Sequence, residues 1–385
     1  MKPRRFIAAI LPLFLFAVTL HAFQPTNIPS FKPFLGLDYS PFTGSESPNF
    51  GPQPSAADIE YDLTNNLIFL ATEIATYSMD GAQSNIPALC NTCHIQCYPC
   101  AFLSTNLEDN TNELAALIAV GNQNFPTTRG LIVGSEAMLA GYNVSDLIDQ
   151  INYVRAATSN SVPVGTRDTA GEFFENPEIV SACDFIQADI HPYWAEMSEN
   201  DAVAYTIQQW QELTNQFPGV RVEIGETGWP TGGTNALWDN PAVVPSVANQ
   251  SAYLAQFIPV AQSMGIEYFI FDFRDESWKT QDGYGTIDTN WGVYYGTDVK
   301  KPSLTNFLSA GFTHQIISGN ATNATLLVNT YESDPYLIYS TTNLTSSPWY
   351  LVSTFTATAG TNQTIVNVPN PDNSSAWFYR AGQDF

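Results

Sequence analysis

The hydrophobic pattern divides the chain into two unlike regions. Between Phe34 and Leu308, short apolar runs alternate with longer stretches whose apolar residues recur at helical spacing. The short runs predict strands at 34–39, 72–77, 95–98, 131–136, 162–166, 184–191, 220–226 and 267–273. Helices are predicted after Ser55 as far as Asn65, at 110–120, from Ser145, near Pro177, from about Asn200 to Asn215, at 247–264 and at 302–308. Ser55, with Asp58 and Glu60 close behind it, has the composition of a helix start. Strand and helix taking turns in this way predict an α/β fold, a parallel (β/α)8 TIM barrel over residues 33–311.

After about residue 312 the pattern changes. Thr, Asn and Ser dominate, and brief alternating runs appear from Thr325 to Val328, Tyr336 to Tyr339, Tyr350 to Phe355, Thr364 to Val368 and Trp377 to Tyr379. Period-two runs of that length predict a small C-terminal all-β sandwich module over 315–385. Trp349, Trp377 and Tyr379 read as its core, with carbohydrate contact as the alternative.

The first 22 residues read as a signal peptide. Lys2, Arg4 and Arg5 precede an apolar run from Phe6 to Val18, and Leu20-His21-Ala22 suits cleavage. The expected location is therefore secreted, extracellular or at the cell surface, with the periplasm as a further possibility. No membrane attachment is expected once the leader is removed, and the barrel is expected to act as a monomer. A formal net charge of −24 disfavours nucleic acid and anionic membranes, since both would be repelled. A neutral polymer is compatible with it. Four of the five cysteines lie between Cys90 and Cys100, with His94 among them. For an exported chain this favours a disulfide framework over buried thiols or a metal site, and the pairing is open. Cys183 reads as a buried thiol. No metal and no cofactor are called for.

Candidate chemistry sits where two predicted strands stop. Val220-Arg-Val-Glu-Ile-Gly-Glu226 runs into Thr227-Gly-Trp-Pro230, and Gly130-Leu-Ile-Val-Gly-Ser135 runs into Glu136. Three β/α units of ~30 residues separate the two carboxylates, which puts both on one face of a barrel. Two strand-end carboxylates on one barrel face suit glycoside hydrolysis, and a nearby indole, Trp229, offers a flat apolar face to a sugar ring. Glu223, an odd number of residues from Glu226, is expected to face the helices and to serve in an ion pair.

Gly225-Glu-Thr-Gly-Trp-Pro230, Val133-Gly-Ser-Glu136, His191-Pro-Tyr-Trp194 and Asp275-Glu-Ser-Trp-Lys279 together resemble glycoside hydrolase family 17, the β-1,3-glucanases, over roughly residues 33–310. The resemblance implies a retaining hydrolase in which Glu226 is the nucleophile and Glu136 the acid/base. Their carboxyls should lie ~5 Å apart. It further implies that Glu276 and Lys279, on the loop after the last strand, support the acid/base. Tyr39, Tyr77, Ser135, His191, Tyr193 and Trp229 are expected to line the sugar pocket, and Asp80 and Trp278 are further candidates. Ser135 stands where many such barrels carry Asn, and Ala75 where many relatives carry Arg.

The expected partner is a β-glucan polysaccharide or oligosaccharide. Two other functions fit the same residues: a β-1,3-glucan transglycosylase, which passes the covalent intermediate to a sugar, and a non-catalytic glucan-binding surface protein.

Overall fold

The computed structural model describes residues 32–158, 162–281 and 285–310, and six strands between 314 and 383. Nine parallel strands form one sheet: β1 (Phe34–Asp38), β2 (Ala71–Ala75), β3 (Gln96–Tyr98), β4 (Cys100–Ala101), β5 (Leu131–Ser135), β6 (Val164–Thr169), β7 (Phe185–Asp189), β8 (Arg221–Thr227) and β9 (Tyr268–Ile270). Their order is β3-β2-β1-β9-β8-β7-β6-β5-β4. The two ends of this sheet, β3 and β4, are one stretch of chain broken only at Pro99, which has no N–H to give. Its carbonyl still accepts from Ile132 N at 2.9 Å. The sheet therefore closes on itself, and with β3 and β4 counted as one stave the nine strands make the expected TIM barrel.

The helices cover the outside. Ser55 caps Ala56–Asp62 through a reciprocal box with Asp58, and the turn then widens over Leu63–Leu67. The long helix Val247–Met264 starts at the cap Ser246 and stops at Gly265, whose φ is 66°. The helix Ile86–Cys93 lacks a counterpart in the hydrophobic pattern. Its Pro87 lies in the first turn, where a missing N–H costs nothing. Among the described residues, no helix is long and apolar enough to cross a membrane.

All five cysteines are free and buried: Cys183 as expected, while the four between Cys90 and Cys100 depart from the expected disulfide framework. Cys90 and Cys93 sit on the helix Ile86–Cys93 and pack with Cys97 in the layer between strands and helices. Cys100 lies on the other side of the sheet, inside the barrel with Tyr98, Phe185 and Phe269. Strand alternation thus divides the four-cysteine cluster between two cores. The described residues hold no metal-binding group of His, Cys, Asp and Glu.

Beyond the barrel, β10 (His314–Gly319), β11 (Asn323–Asn329) and β14 (Gln363–Pro369) form one antiparallel sheet. A second contains β12 (Pro335–Thr341), β13 (Tyr350–Thr356) and β15 (Phe378–Gln383). Trp349 and Trp377, the side chain of Tyr379, and the leader of residues 1–22 lie outside what the structure describes.

Candidate active site

Irregular strand ends carry both carboxylates. In β5 the register against β6 shifts between Ile132 and Ser135. Gly134 there has φ 82° and Glu136 φ 49°, a left-handed conformation rarely taken by a non-glycine residue and costing about 1–3 kcal/mol. The neighbouring strand holds it in place. Glu136 N donates to Arg167 O at 3.0 Å, and Asp168 Oδ2 accepts from Met138 N at 2.7 Å. Ser135 is buried beneath.

On β8 the pairing with β7 slips between Ala188 and Asp189, so that Asp189 pairs with Glu226 and Gly225 is left over. A side chain at Gly225 would meet Asp189 Oδ1 at 2.5 Å, so only glycine fits the bulge. The extra residue changes the parity of the strand. Glu223 and Glu226, three apart, therefore both face the interior, and Glu223 does not face the helices. Its ion pair is present nonetheless, with Arg221 Nε 2.8 Å from Glu223 Oε1. Glu223 also accepts from Tyr98 Oη at 3.1 Å and from Gln187 Nε2 at 2.8 Å.

Each oxygen of Glu226 has its own partner. Arg167 Nη1 lies 3.4 Å from Oε1, and His191 Nε2 lies 3.1 Å from Oε2. Arg167 is fully buried and also sits 3.0 Å from Asp38 Oδ1 and 3.9 Å from Asp189 Oδ1. Burial by itself would raise the Glu226 pKa. The His191 hydrogen bond and the charges of Arg167 and Lys279 outweigh it, and hold Glu226 below the usual glutamate range. Glu136 goes the other way. Burial, with the negative charges of Glu226 and Asp168, pushes it up to about 8. One carboxyl is thus kept ionised and its neighbour protonated at neutral pH, a division of labour that suits acid and nucleophile.

Lys279 Nζ pairs with Glu276 Oε2 at 2.6 Å and sits 4.4 Å above the Phe271 ring. Burial would lower its pKa, but Glu276, Asp272 and Glu226 hold it charged. The Tyr77 hydroxyl is buried without a partner, and its ring lies 5.6 Å from the Arg167 guanidinium. It is a free donor and acceptor facing the carboxylates. Trp278 Nε1 donates to Glu276 at 3.1 Å, whereas Asp80 is exposed.

Three of the aromatics expected to line the pocket are structural. Asp38 points inward to Arg167, so alternation turns Tyr39 outward, where its hydroxyl bonds Asp62 at 2.9 Å. Trp229 is fully buried, with Nε1 donating to Val244 O at 2.9 Å. Tyr193 is buried beneath Trp194 and Trp238. Conversely, sequence reading missed Asp38, Arg167, Asp168, Gln187 and Asp189. Asp38, Gln187 and Asp189 gave a signal, a charged or amide side chain within an expected strand, whereas Arg167 and Asp168 lie just past the expected end of theirs, in a strand that runs on to Thr169.

Residues 36–292 match the BtgE/BtgC glycoside hydrolase domain family. The chain is 30% identical over 292 residues to a protein of Aspergillus niger provisionally named glucan endo-1,3-beta-glucosidase btgC, covering 69% of the chain and 42% of that relative. It is 30% identical over 199 residues to the glucan 1,3-beta-glucosidase of Saccharomyces cerevisiae, covering 46% of the chain and 62% of the relative. The chain thus spans less than half the length of the Aspergillus protein. Its fold is similar to the crystal structure of a glycoside hydrolase family 17 β-1,3-glucanosyltransferase from Rhizomucor miehei. The TM-score is 0.60 at 23% identity, over 71% of this chain and 97% of that one.

Proposed function

The chain belongs to the BtgE/BtgC glycoside hydrolase domain family, and from that premise we propose that it is a family 17 retaining hydrolase that cleaves β-1,3-glucan. Glu226 is the nucleophile and Glu136 the acid/base. The observation that carries this reading is the pair of irregular strand ends that carry Glu136 and Glu226, with Glu226 Oε1 3.4 Å from Arg167 Nη1 and Oε2 3.1 Å from His191 Nε2; burial and the Glu226 charge push Glu136 up to about 8 beside it.

In the first step Glu136 gives its proton to the glycosidic oxygen while Glu226 attacks the anomeric carbon. The C–O bond breaks with its electron pair leaving on the oxygen, and a glycosyl ester forms on Glu226. In the second, Glu136 takes a proton from water, the water oxygen attacks the same carbon, and Glu226 leaves as a carboxylate. His191 and Arg167 stabilise that carboxylate as it departs. Lys279 lends positive charge beside both carboxyls, and Tyr77 offers its hydroxyl to the sugar. The leader at 1–22 supports export, with a monomer acting on glucan outside the cytoplasm.

Incubation with laminarin, lichenan, pustulan and cellulose, with product sizes read, tests the reading. Laminarin should be cut, and Glu226→Gln should lower the rate by roughly 10⁴-fold or more. Products longer than the starting oligosaccharide would assign the intermediate to a sugar acceptor in place of water. An inactive wild type that still binds glucan would point to a surface-binding protein.

A further inference from the structure

One buried guanidinium serves three carboxyls beneath the catalytic pair. Arg167 Nη1 donates to Glu226 Oε1 at 3.4 Å. Asp38 Oδ1 lies nearer the same nitrogen, at 3.0 Å, yet neither Asp38 oxygen accepts a hydrogen bond among the described residues. The aligned N–H thus belongs to Glu226, and Asp38 stands off its axis. Asp189 Oδ1 lies 3.9 Å from Arg167 Nε, and its oxygens also accept no hydrogen bond among the described residues. Asp38 and Asp189 are both buried.

Three carboxyls cannot all stay charged against one cation in a site closed to water. The other cation near them, Lys279, is taken by Glu276 at 2.6 Å. The charged and titratable groups facing Asp38 are Arg167 on β6, Asp189 on β7, Glu226 on β8, Tyr77 after β2 and Lys279 after β9. Burial is the main cause that pushes Asp38 and Asp189 well above the aspartate range; the Glu226 charge adds to it and Arg167 opposes it. Glu226 alone of the three is held low. In the resting site Glu226 carries the charge and the two aspartates carry protons.

The covalent step of the hydrolase reading above, on which this inference rests, upsets that balance. A glycosyl ester on Glu226 is neutral, which would leave Arg167 a fully buried cation without an anion. We propose that Asp38 is a positioning residue that takes over Arg167 Nη1 while Glu226 carries the sugar. Its carboxyl O–H breaks, the proton passes to solvent at the barrel mouth, and the carboxylate turns onto the guanidinium. When water releases the sugar, Glu226 regains its charge and Asp38 its proton. Asp38 faces the nitrogen that Glu226 uses, whereas Asp189 faces Nε, which Gln187 already holds at 3.0 Å.

The test counts protons. Glu136→Gln protein is treated with 2,4-dinitrophenyl 2-deoxy-2-fluoro-β-laminaribioside in a pH-stat at about pH 6. The leaving group departs as an anion and the variant holds no acid/base proton, so glycosylation of Glu226 by itself releases none. About one proton per labelled chain should appear, and about none once Asp38→Asn is added. With Glu136 intact, Asp38→Asn should slow labelling about tenfold and leave loss of the label no slower, a split that a merely structural role would not produce. Labelling of Glu226 without proton release overturns the inference and leaves the hydrolase reading intact. The same release with and without Asp38, in variants of unchanged thermal unfolding, does so too. If Asp38→Asn fails to fold, the proton count of Glu136→Gln protein decides alone. Absence of any label on Glu226 overturns the hydrolase reading and the inference with it.

Discussion

Gln187 Oε1 accepts two hydrogen bonds from Arg167, 3.0 Å from Nε and 2.7 Å from Nη2. The pair fixes the plane of the guanidinium and leaves Nη1 for Asp38 and Glu226. Gln187 is fixed in turn by Glu223 at 2.8 Å. A polar column thus runs up the barrel interior from Glu223 to Glu226, and the ionisation of Glu226 depends on it.

Replacing Arg167 separates charge from geometry. Arg167→Met leaves Asp38, Asp189 and Glu226 crowded without their cation, and should cost about 3–5 kcal/mol in urea unfolding. Arg167→Lys keeps a charge but loses the doubly bonded plane. The acid limb of its kcat/KM profile should move upward by about one pH unit, whereas a merely structural role would leave the limb in place.

The pH dependence of rate and of stability follows from the same groups. Activity needs Glu226 ionised and Glu136 protonated. The acid limb of kcat/KM should therefore lie below the ordinary glutamate range, and the alkaline limb near the Glu136 value of about 8. Burial is the main cause of the raised carboxyls, which put Glu136 and Glu223 at about 8 and Glu73 at about 7. In the unfolded chain a glutamate titrates near ~4.3, so between that point and about 8 the folded protein holds more protons than the unfolded one. Their stabilisation is complete below ~4.3, is lost progressively as pH rises from there, and is gone once pH has passed the folded values of about 7 to 8. Tm should fall over that window, and Glu223→Gln should flatten the fall.

Trp229 separates a structural from a binding role for the motif indole. Fully buried, and bonded to Val244 O, it should cost about 3–5 kcal/mol as Trp229→Ala. Trp229→Phe should recover part of that stability in the same denaturation series. A Trp229→Ala protein of native stability with selectively weakened glucan affinity would contradict the assignment.

Much of the barrel was legible because most strands are compact apolar runs and several of the helices that follow carry a side-chain cap, as at Ser55, Asn143 and Ser246; the helix expected near 247–264 is Val247–Met264. The acid and nucleophile candidates were legible because glycines mark irregular backbone at both strand ends. What escaped was everything decided by parity. Tyr39 reads as a pocket residue until Asp38 is known to occupy the inward position. Glu223 reads as outward until the bulge at Gly225 is known, and no local residue count reveals a register shift. Arg167, Asp38 and Asp189 come from three different strands, and their meeting depends on barrel closure rather than on any motif.

The thiols give an independent check on the outer layer. All five cysteines are free and buried, and burial raises Cys93 to about 11 and Cys183 to about 12. Native protein should react slowly with a disulfide-exchange reagent. Guanidinium-denatured protein, without reductant, should yield all 5 thiols. A yield of three or fewer would restore the disulfide framework.

In the proposed mechanism Glu226 bonds covalently to the sugar while Glu136 moves the proton. A 2-deoxy-2-fluoro-β-glucosyl reagent with a good leaving group slows departure of the glycosyl ester and lets it accumulate. Mass spectrometry of digested, inactivated protein should find one fluoroglycosyl group per chain, on the peptide containing Glu226, with none on Glu226→Gln protein. A label on any other residue, or rapid turnover of laminarin with inverted anomeric configuration, would contradict the account.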